Sequence, residues 1–332
     1  MGIKYLNKFF KEECNCKTSI KLVSISELSD KKIVVDISIY LYKFESDNVL
    51  IENIYLMLSI FKYYNIIPIF IFDGKPPNEK NKTIENRNNI KIESEKEYNR
   101  LKEQIKDMDS SLMKEEIISN MDILKKKFVY MTKEKINNIK EIIRYFGYSY
   151  FDAPGEADEL CAMLVIKKKV WACLSEDMDM FVYGCNKVIR YLSLMNHTVV
   201  IYDTKEILND LGITQKELRE ICILSGTDYN NNLDVSTNMQ LYNVLKWFKK
   251  YHHCLKKREK EIKTEEIESF YQWLKKNNYI EEYEKLMNIY NMFDIDHNKD
   301  HLKEFENIKI MNGNLNKENL KNILKKDGFL FP

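Results

Sequence analysis

An α/β fold built on a mostly parallel central sheet, with helices on both faces, is the class this sequence predicts. Three short apolar, β-branched runs each end in an acid: KKIVVDISIY around Asp36, NIIPIFIFDG around Asp73 and VWACLSEDMD around Asp177. Helix-length amphipathic segments such as VLIENIYLMLSIFKYY lie between them. Strands alternating with helices imply parallel pairing. Ligands of such open sheets sit beyond the carboxyl ends of the strands, so acids ending three parallel strands converge on one crevice.

The remaining elements follow along the chain. The start, MGIKYLNKFF, lacks the apolar core of a signal peptide. Leu6 also stands where a myristoylation signal needs Ser or Thr. From about residue 78 to 135 the chain is intensely charged and free of glycine and proline, with a thin apolar stripe, and it reads as exposed helices inserted between two core strands. On composition alone this is a solvated helical hairpin. DAPGEADELCAMLV then starts a helix, with Asp152 and Pro154 supplying the turn. KVIRYLSL and TVVIYDT form a β-hairpin, and beyond Glu206 the chain reads as mostly helical, with Trp247 and Trp273 packed inside.

Composition narrows the function classes. Over 332 residues, 31% are charged and 44% apolar, ordinary for a globular protein, and the formal net charge of +1 gives no global field toward nucleic acid or membrane. Any basic surface is therefore local. No run of about 18 apolar residues occurs, so no membrane span is expected. The seven cysteines include no C-x-x-C pair, which excludes zinc-finger spacing and points to reduced thiols in an intracellular compartment: nucleus, cytoplasm or a viral replication site.

Seven carboxylates carry the chemistry. Asp177 and Asp179 form a D-x-D that, alone, is a common surface pattern. Asp36 and Asp73 close strands, Glu156 and Asp158 open a helix, and Asp228 follows an apolar segment and a glycine in ICILSGTDYN. Residues two apart do not share a helix face, but at a helix start both can point into one crevice. Two like charges about 4 Å apart cost on the order of 4 kcal/mol at an effective dielectric of about 20. Carboxylates gathered that densely either protonate or hold cations, and hard oxygen ligands suit Mg²⁺ or Mn²⁺ rather than zinc.

The ordered series MGIKYL, VVDISIYLY, FDGKPP, APGEADELCA, SEDMDMFVYGC and LSGTDYN closely resembles the flap endonuclease/XPG family of structure-specific 5′ nucleases, over roughly residues 1 to 230. The resemblance implies a PIN-like, Rossmann-like nuclease region over 1–250, comprising an N-region 1–77, a helical arch 78–135 and an I-region 136–250. A degenerate helix–two-turn–helix falls at about 222–250, and a helical C-terminal extension covers 251–332. It further implies that Asp36, Asp73, Glu156 and Asp158 gather one Mg²⁺ with water-bridged partners, and that Asp177, Asp179 and Asp228 gather a second. Mn²⁺ is a substitute. Two ions about 3.5–4 Å apart clamp the attacking and leaving oxygens of a phosphodiester. Lys80 and Arg87 match the basic pair that steers the scissile phosphate, stabilising negative charge without acting as nucleophiles. DNA contacts fall at Gly2, Tyr42, Lys125, Lys127 and Lys133, with Tyr42 where the family stacks an aromatic on a base.

Three departures from the family pattern matter. Val235, Ser236 and Thr237 replace the glycine triplet that lets backbone amides approach duplex phosphate, although the basic run FKKYHHCLKKREK offers compensating phosphate contacts. The segment between Asp36 and Asp73 is shorter than in the family, which weakens the expectation of double-flap preference. No glutamine-containing clamp-binding motif precedes the terminal KKDGFLFP, so sliding-clamp recruitment is not expected, whereas an unidentified protein partner is compatible with the altered turn. The expected activity is Mg²⁺-dependent cleavage of flapped, nicked or gapped DNA bearing a 5′ single strand, in replication, repair or recombination. The competing readings are a 5′→3′ exonuclease of DNA or RNA and an inactive relative that scaffolds nucleoprotein complexes.

Overall fold

A computed structural model of the chain describes residues 3–15, 17–106, 111–230, 240–258, 268–297, 300–326 and 328–329. Its elements run α1 (Leu6–Glu13), β1 (Ile20–Ser24), β2 (Lys32–Asp36), α2 (Ile37–Ser46), α3 (Leu50–Tyr63), β3 (Ile67–Phe72), α4 (Asn81–Lys106), α5 (Ser111–Lys125), α6 (Lys133–Tyr145), β4 (Ser149–Asp152), α7 (Ala157–Ile166), β5 (Ala172–Leu174) and α8 (Asp179–Tyr183). They continue with β6 (Lys187–Ser193), β7 (Thr198–Asp203), α9 (Thr204–Leu211), α10 (Gln215–Leu224), α11 (Leu241–Arg258), α12 (Phe270–Lys276), α13 (Tyr283–Met292) and α14 (Lys317–Lys326). No helix of the described residues is long and apolar enough to cross a membrane.

One sheet organises these elements, in the order β1-β7-β6-β5-β2-β3-β4. The five strands from β6 to β4 are mutually parallel, while β7 runs antiparallel to both β6 and β1. From β2 the chain steps outward to β3 and β4, then returns to β5 on the other side of β2 and steps outward again to β6. The order therefore reverses between β2 and β5, and the crevice of a parallel sheet opens at such a reversal, beyond the strand carboxyl ends. Asp36 ends β2 and Asp177 follows β5, so two acids flank that point.

Alternation along the buried strands explains the layers. Val34, Ile69, Ile71 and Cys173 face one side and pack with α1, α7, α8, α10, α12 and α13. Ile33, Val35, Phe70, Phe72 and Leu174 face the other and pack with α2, α3, α6 and α14. Both faces are covered, which is why these strands read as unbroken apolar runs rather than as alternating patterns. Residue 251, where the sequence suggests that an extension begins, lies within α11, and α12 to α14 join the same two layers as the rest of the core. A strap before α14 closes the β4 edge: Gly313 N–H donates to the Gly147 carbonyl at 2.7 Å, and Tyr148 pairs with Asn312. A Cβ at Gly147 (φ +84°) would stand 2.4 Å from the Gly313 oxygen, so only glycine permits this approach.

One buried acid lies away from the sheet crevice. Glu220 on α10 is 3% exposed, and burial, with Lys216 offsetting part of the effect, raises its carboxyl from 4.5 to about 7. Between those values the folded protein holds a proton that the unfolded chain releases, so stability falls as pH rises through the window. At about 1.4 kcal/mol per pH unit the loss approaches ~3 kcal/mol. Glu220→Gln is expected to remove most of that slope, measured as thermal midpoint against pH; an unchanged slope would refute the assignment to this side chain.

Candidate active site

Each acid is held by an identifiable local device. The β2–β5 reversal sets Asp36 and Asp177 side by side. Ser175 Oγ donates to Asp36 Oδ2 at 2.9 Å and accepts from Asp177 N–H at 3.1 Å, and Asp179 N–H donates to Asp177 Oδ1 at 3.0 Å. Asp73 is exposed after β3, and its Oδ1 accepts the Ala157 N–H at 2.9 Å, capping α7 from another loop. Glu156 precedes the first turn of α7 with extended backbone (φ −76°, ψ 148°), which frees its side chain from the helix surface and resolves the two-apart spacing from Asp158. Asp228 sits two residues beyond Gly226, whose φ is +99°.

Gly74 lets the loops carrying Asp73 and Glu156 meet. Its N–H donates to the Gly155 carbonyl at 2.8 Å, and a Cβ there would lie 1.9 Å from the Ala153 oxygen and 2.9 Å from that of Gly155. Both obstacles are backbone, so Gly74→Ala must separate the two loops. We expect a stability loss of about 1–3 kcal/mol. Cleavage should fall by up to about a hundredfold, since a displacement of ~1 Å can cost that much. Chemical denaturation and single-turnover cleavage check both; wild-type rates would show that the two loops need not touch.

The carboxylates share one electrostatic field. Burial, then the charges of Asp73 and Asp177, push Asp36 up from 3.8 to about 8, against the opposing hydrogen bond from Ser175. Asp158 is pushed well above the usual carboxylate range by desolvation and by Asp177, Asp36 and Asp73; the residue keeps some exposed surface, but protein atoms crowd its carboxyl group. Asp179 is raised likewise, by burial, Asp177 and Asp228. Asp177 thus acts on both halves of the cluster.

Lys80 supplies the countercharge. It ends a 3-10 turn (Asn78–Lys80) rather than lying on α4 with Arg87, and it is only 8% exposed. Its Nζ donates to Glu156 Oε1 at 2.5 Å and lies 3.5 Å from Asp228 Oδ2. Burial alone would lower its pKa, but Glu156, Asp158 and Asp228 together raise it. Arg87 Nη2 donates to Asp228 Oδ2 at 2.6 Å from a half-exposed position. The seven-residue spacing of the pair is thus spanned by a turn and a helix, and both cations still reach Asp228.

A divalent cation fits this donor set. Every charged donor is a carboxylate oxygen, and Asp179 Oδ1 is buried with no hydrogen-bond partner. Among the described residues no three His, Cys, Asp or Glu side chains form a ready-made cage. That is consistent with Mg²⁺, which keeps several waters and takes few direct carboxylates. Glu156 is meanwhile turned toward Lys80 and Tyr229, and Asp73 toward Ala157.

The other sequence-predicted positions are more peripheral. Tyr42 on α2 is 45% exposed, its hydroxyl pKa raised by partial burial and by the charge of Asp73. Lys91 Nζ lies 5.2 Å from the Tyr42 ring centre and 5.7 Å from that of Tyr130, linking α4 to α2 and to the far end of the insertion. Lys125, Lys127 and Lys133 are exposed. Gly2 and the Val235–Thr237 stretch lie outside the described residues. Sequence reasoning missed Ser175 and Tyr229, the latter donating from Oη to Glu156 Oε2 at 2.5 Å and passing for a core aromatic because it is 5% exposed.

Comparison with known proteins agrees with this architecture. The XPG N-terminal domain model matches residues 1–94 and the XPG I-region model residues 147–228. A probable RAD2-like endonuclease of Invertebrate iridescent virus 6 is 30% identical, the match covering 74% of this chain and 71% of that protein. The chain belongs to the flap endonuclease/XPG family. A flap endonuclease 1 from Methanococcus aeolicus is 28% identical over 63% of this chain and 66% of its own length. For one from Xiphophorus maculatus the values are 30%, 69% and 62%. The chain therefore spans just under two thirds of these cellular family members. Among solved structures, the catalytic core of Rad2 in complex with DNA substrate superposes with a TM-score of 0.65 at 23% identity, covering 99% of this chain and 95% of that one. Flap endonuclease-1 from Methanococcus jannaschii gives 0.56 at 20% identity, covering 98% and 100%. Both share the fold.

Proposed function

We propose that the chain is a divalent-metal-dependent 5′ nuclease that hydrolyses phosphodiester bonds in flapped, nicked or gapped DNA during replication, repair or recombination. The observation that carries this reading is the carboxylate cluster at the strand-order reversal, with Asp36, Asp177 and Asp179 buried, Lys80 inserted into it and Arg87 beside it. Family membership adds weight, since the relatives are named as endonucleases. Asp36, Asp73, Glu156, Asp158, Asp177, Asp179 and Asp228 would hold Mg²⁺ or Mn²⁺. When bound, the cations neutralise the carboxylates and supply Lewis-acid stabilisation to phosphoryl oxygens. Lys80 and Arg87 pass from their carboxylate partners to the scissile phosphate and stabilise the charge that develops there. Tyr42 offers a ring face to a base next to the cut, in exchange for Lys91. Lys125, Lys127 and Lys133 attract the single strand electrostatically, which makes binding salt-dependent.

Cleavage of end-labelled 5′-flap, nicked, gapped and single-stranded DNA tests the reading, with the Asp177→Ala/Asp179→Ala double variant as control. A single cut at the flap junction, dependent on Mg²⁺ and absent from the double variant, is expected. Mononucleotide release would reassign the chain as an exonuclease. Unimpaired cleavage by the double variant would sink the site, and no cleavage at all would favour a scaffold.

A further inference from the structure

The loop that carries Asp177 and Asp179 is gripped from behind by an arginine that touches neither. Arg190 lies on β6, is 6% exposed, and is the centre of a compact network. Its Nη2 donates to the Glu176 carbonyl at 3.0 Å, its Nη1 reaches Met178 Sδ, and its Nε lies 3.6 Å from Glu176 Oε2 without a hydrogen bond. The guanidinium thus holds residues 176 and 178, the two that alternate with Asp177 and Asp179. With the even positions fixed on this side, the odd positions face the carboxylate cluster.

Backbone irregularity completes the grip. The β6–β7 register shifts between Arg190 and Ser193, and Tyr191 adopts φ +54°, a conformation that non-glycine residues adopt at a cost. The Tyr191 N–H is then free of the ladder and donates to Glu176 Oε1 at 2.6 Å. Behind Arg190, Asn7 of α1 accepts from Arg190 Nη1 at 3.0 Å and from Tyr202 Oη at 2.7 Å, and donates to Tyr191 Oη at 2.7 Å. Every polar group of the Asn7 side chain is engaged in orienting this one site.

We infer that Arg190 is a positioning residue for the acid-bearing loop, acting through Glu176 and Met178, with Asn7 as its outer support. The inference rests on the proposed metal reading of the cluster. Its mechanism is the planar fork: a guanidinium reaches the Glu176 carbonyl, the Glu176 carboxylate, Met178 and Asn7 at once, and a lysine ammonium at the end of a flexible chain does not.

The test measures Mn²⁺ binding directly, from the electron paramagnetic resonance signal of free Mn²⁺, with the whole chain and no DNA. Arg190→Lys keeps the buried charge and loses the fork. Its apparent Kd for Mn²⁺ should rise about tenfold or more, the range for groups that orient metal ligands. Cleavage should recover toward the wild-type rate when Mn²⁺ is raised to match, a rescue that general loss of folding would not produce. Asn7→Ala, on a peripheral helix, should shift the Kd in the same direction by less, so the test does not depend on how well Arg190→Lys folds. Wild-type Mn²⁺ affinity in both variants would overturn the inference. A wild-type protein that binds no Mn²⁺, or an Asp177→Ala/Asp179→Ala control that binds it as well as wild type, would instead bring down the metal reading, and this inference with it.

Discussion

Replacing Asp179 with asparagine is expected to stabilise the metal-free protein while eliminating its cleavage of DNA. The two effects share one cause. Asp179 is 4% exposed, its Oδ1 has no hydrogen-bond partner, and Asp177 and Asp228 face it with like charge. An unsatisfied buried polar atom costs about 1–3 kcal/mol, and like charge that Lys80 only partly offsets adds to that. Asparagine has nearly the same shape, carries no charge, and offers two amide hydrogens to surroundings in which the carboxylates of Asp177, Asp228 and Glu156 outweigh the Lys80 ammonium. The unfolding free energy in chelator should therefore rise by about 1–3 kcal/mol. Under saturating Mg²⁺ the order should reverse, because the wild type recovers the cost through cation binding, which stabilises only the folded state. Cleavage should fall at least about a hundredfold, since that corresponds to only ~3 kcal/mol of lost transition-state stabilisation. The pair of melts in chelator and in Mg²⁺ is the discriminating measurement. If Asp179→Asn destabilises the protein equally in both, the carboxylate is a structural group and the cluster is not under charge strain.

How much of this was legible in the sequence depends on the range of the contact. The acids at Asp36, Asp73 and Asp177 were visible because each ends a β-branched run, and parallel topology alone brings such strand ends together. The hairpin of β6 and β7 and the helix that opens at Glu156 and Asp158 were visible for equally local reasons. The short strands β1 and β4 were not, since TSIKLVS and YSYFD lack a run long enough to separate strand from loop. The C-terminal strap was hidden for another reason: the Gly147–Gly313 approach joins residues 166 apart through backbone atoms that no side-chain pattern marks.

The site shows the same division. Ser175, Tyr229 and Arg190 each act on a carboxylate or on the loop that bears one, but Ser175 and Tyr229 sit in SEDMDMFVYGC and LSGTDYN only as uncharged neighbours of the acids, and Arg190 lies in the hairpin strand KVIRYLSL. Ser175 reads as a turn residue, Tyr229 as a core aromatic, and Arg190 as an ordinary charged residue of a hairpin strand, although it is buried. Lys80 and Arg87 stood out only through the family resemblance, because within a segment so rich in Lys and Glu no composition argument separates them from solvated charges. The structure separates them at once: Lys80 is buried, and both cations point back into the cluster rather than outward.

That burial makes Lys80 the site of the second large effect. Lys80→Met keeps the length and apolar stem of the side chain and deletes the ammonium that neutralises Glu156 and Asp228. Breaking a buried ion pair typically costs about 3–5 kcal/mol. Here the partner side chains are 15% and 19% exposed and Arg87 still reaches Asp228, so a loss nearer ~2 kcal/mol is expected in chelator. Mg²⁺ should shrink that deficit, because a cation restores the missing positive charge to the same carboxylates. Cleavage should nonetheless drop by about 10²–10³, the cost of removing one preorganised donor to a developing oxyanion, while affinity for a duplex is nearly unchanged. Arg87→Ala should cost less in stability, since its side chain is 45% exposed and screened by solvent. The combination is diagnostic. A stability deficit that Mg²⁺ erases, with a cleavage deficit that Mg²⁺ leaves intact, requires one ammonium to serve the empty cluster as countercharge and the loaded site as a phosphate ligand. If instead both deficits vanish together at high Mg²⁺, Lys80 only holds the carboxylates in place and the phosphate is steered by another group.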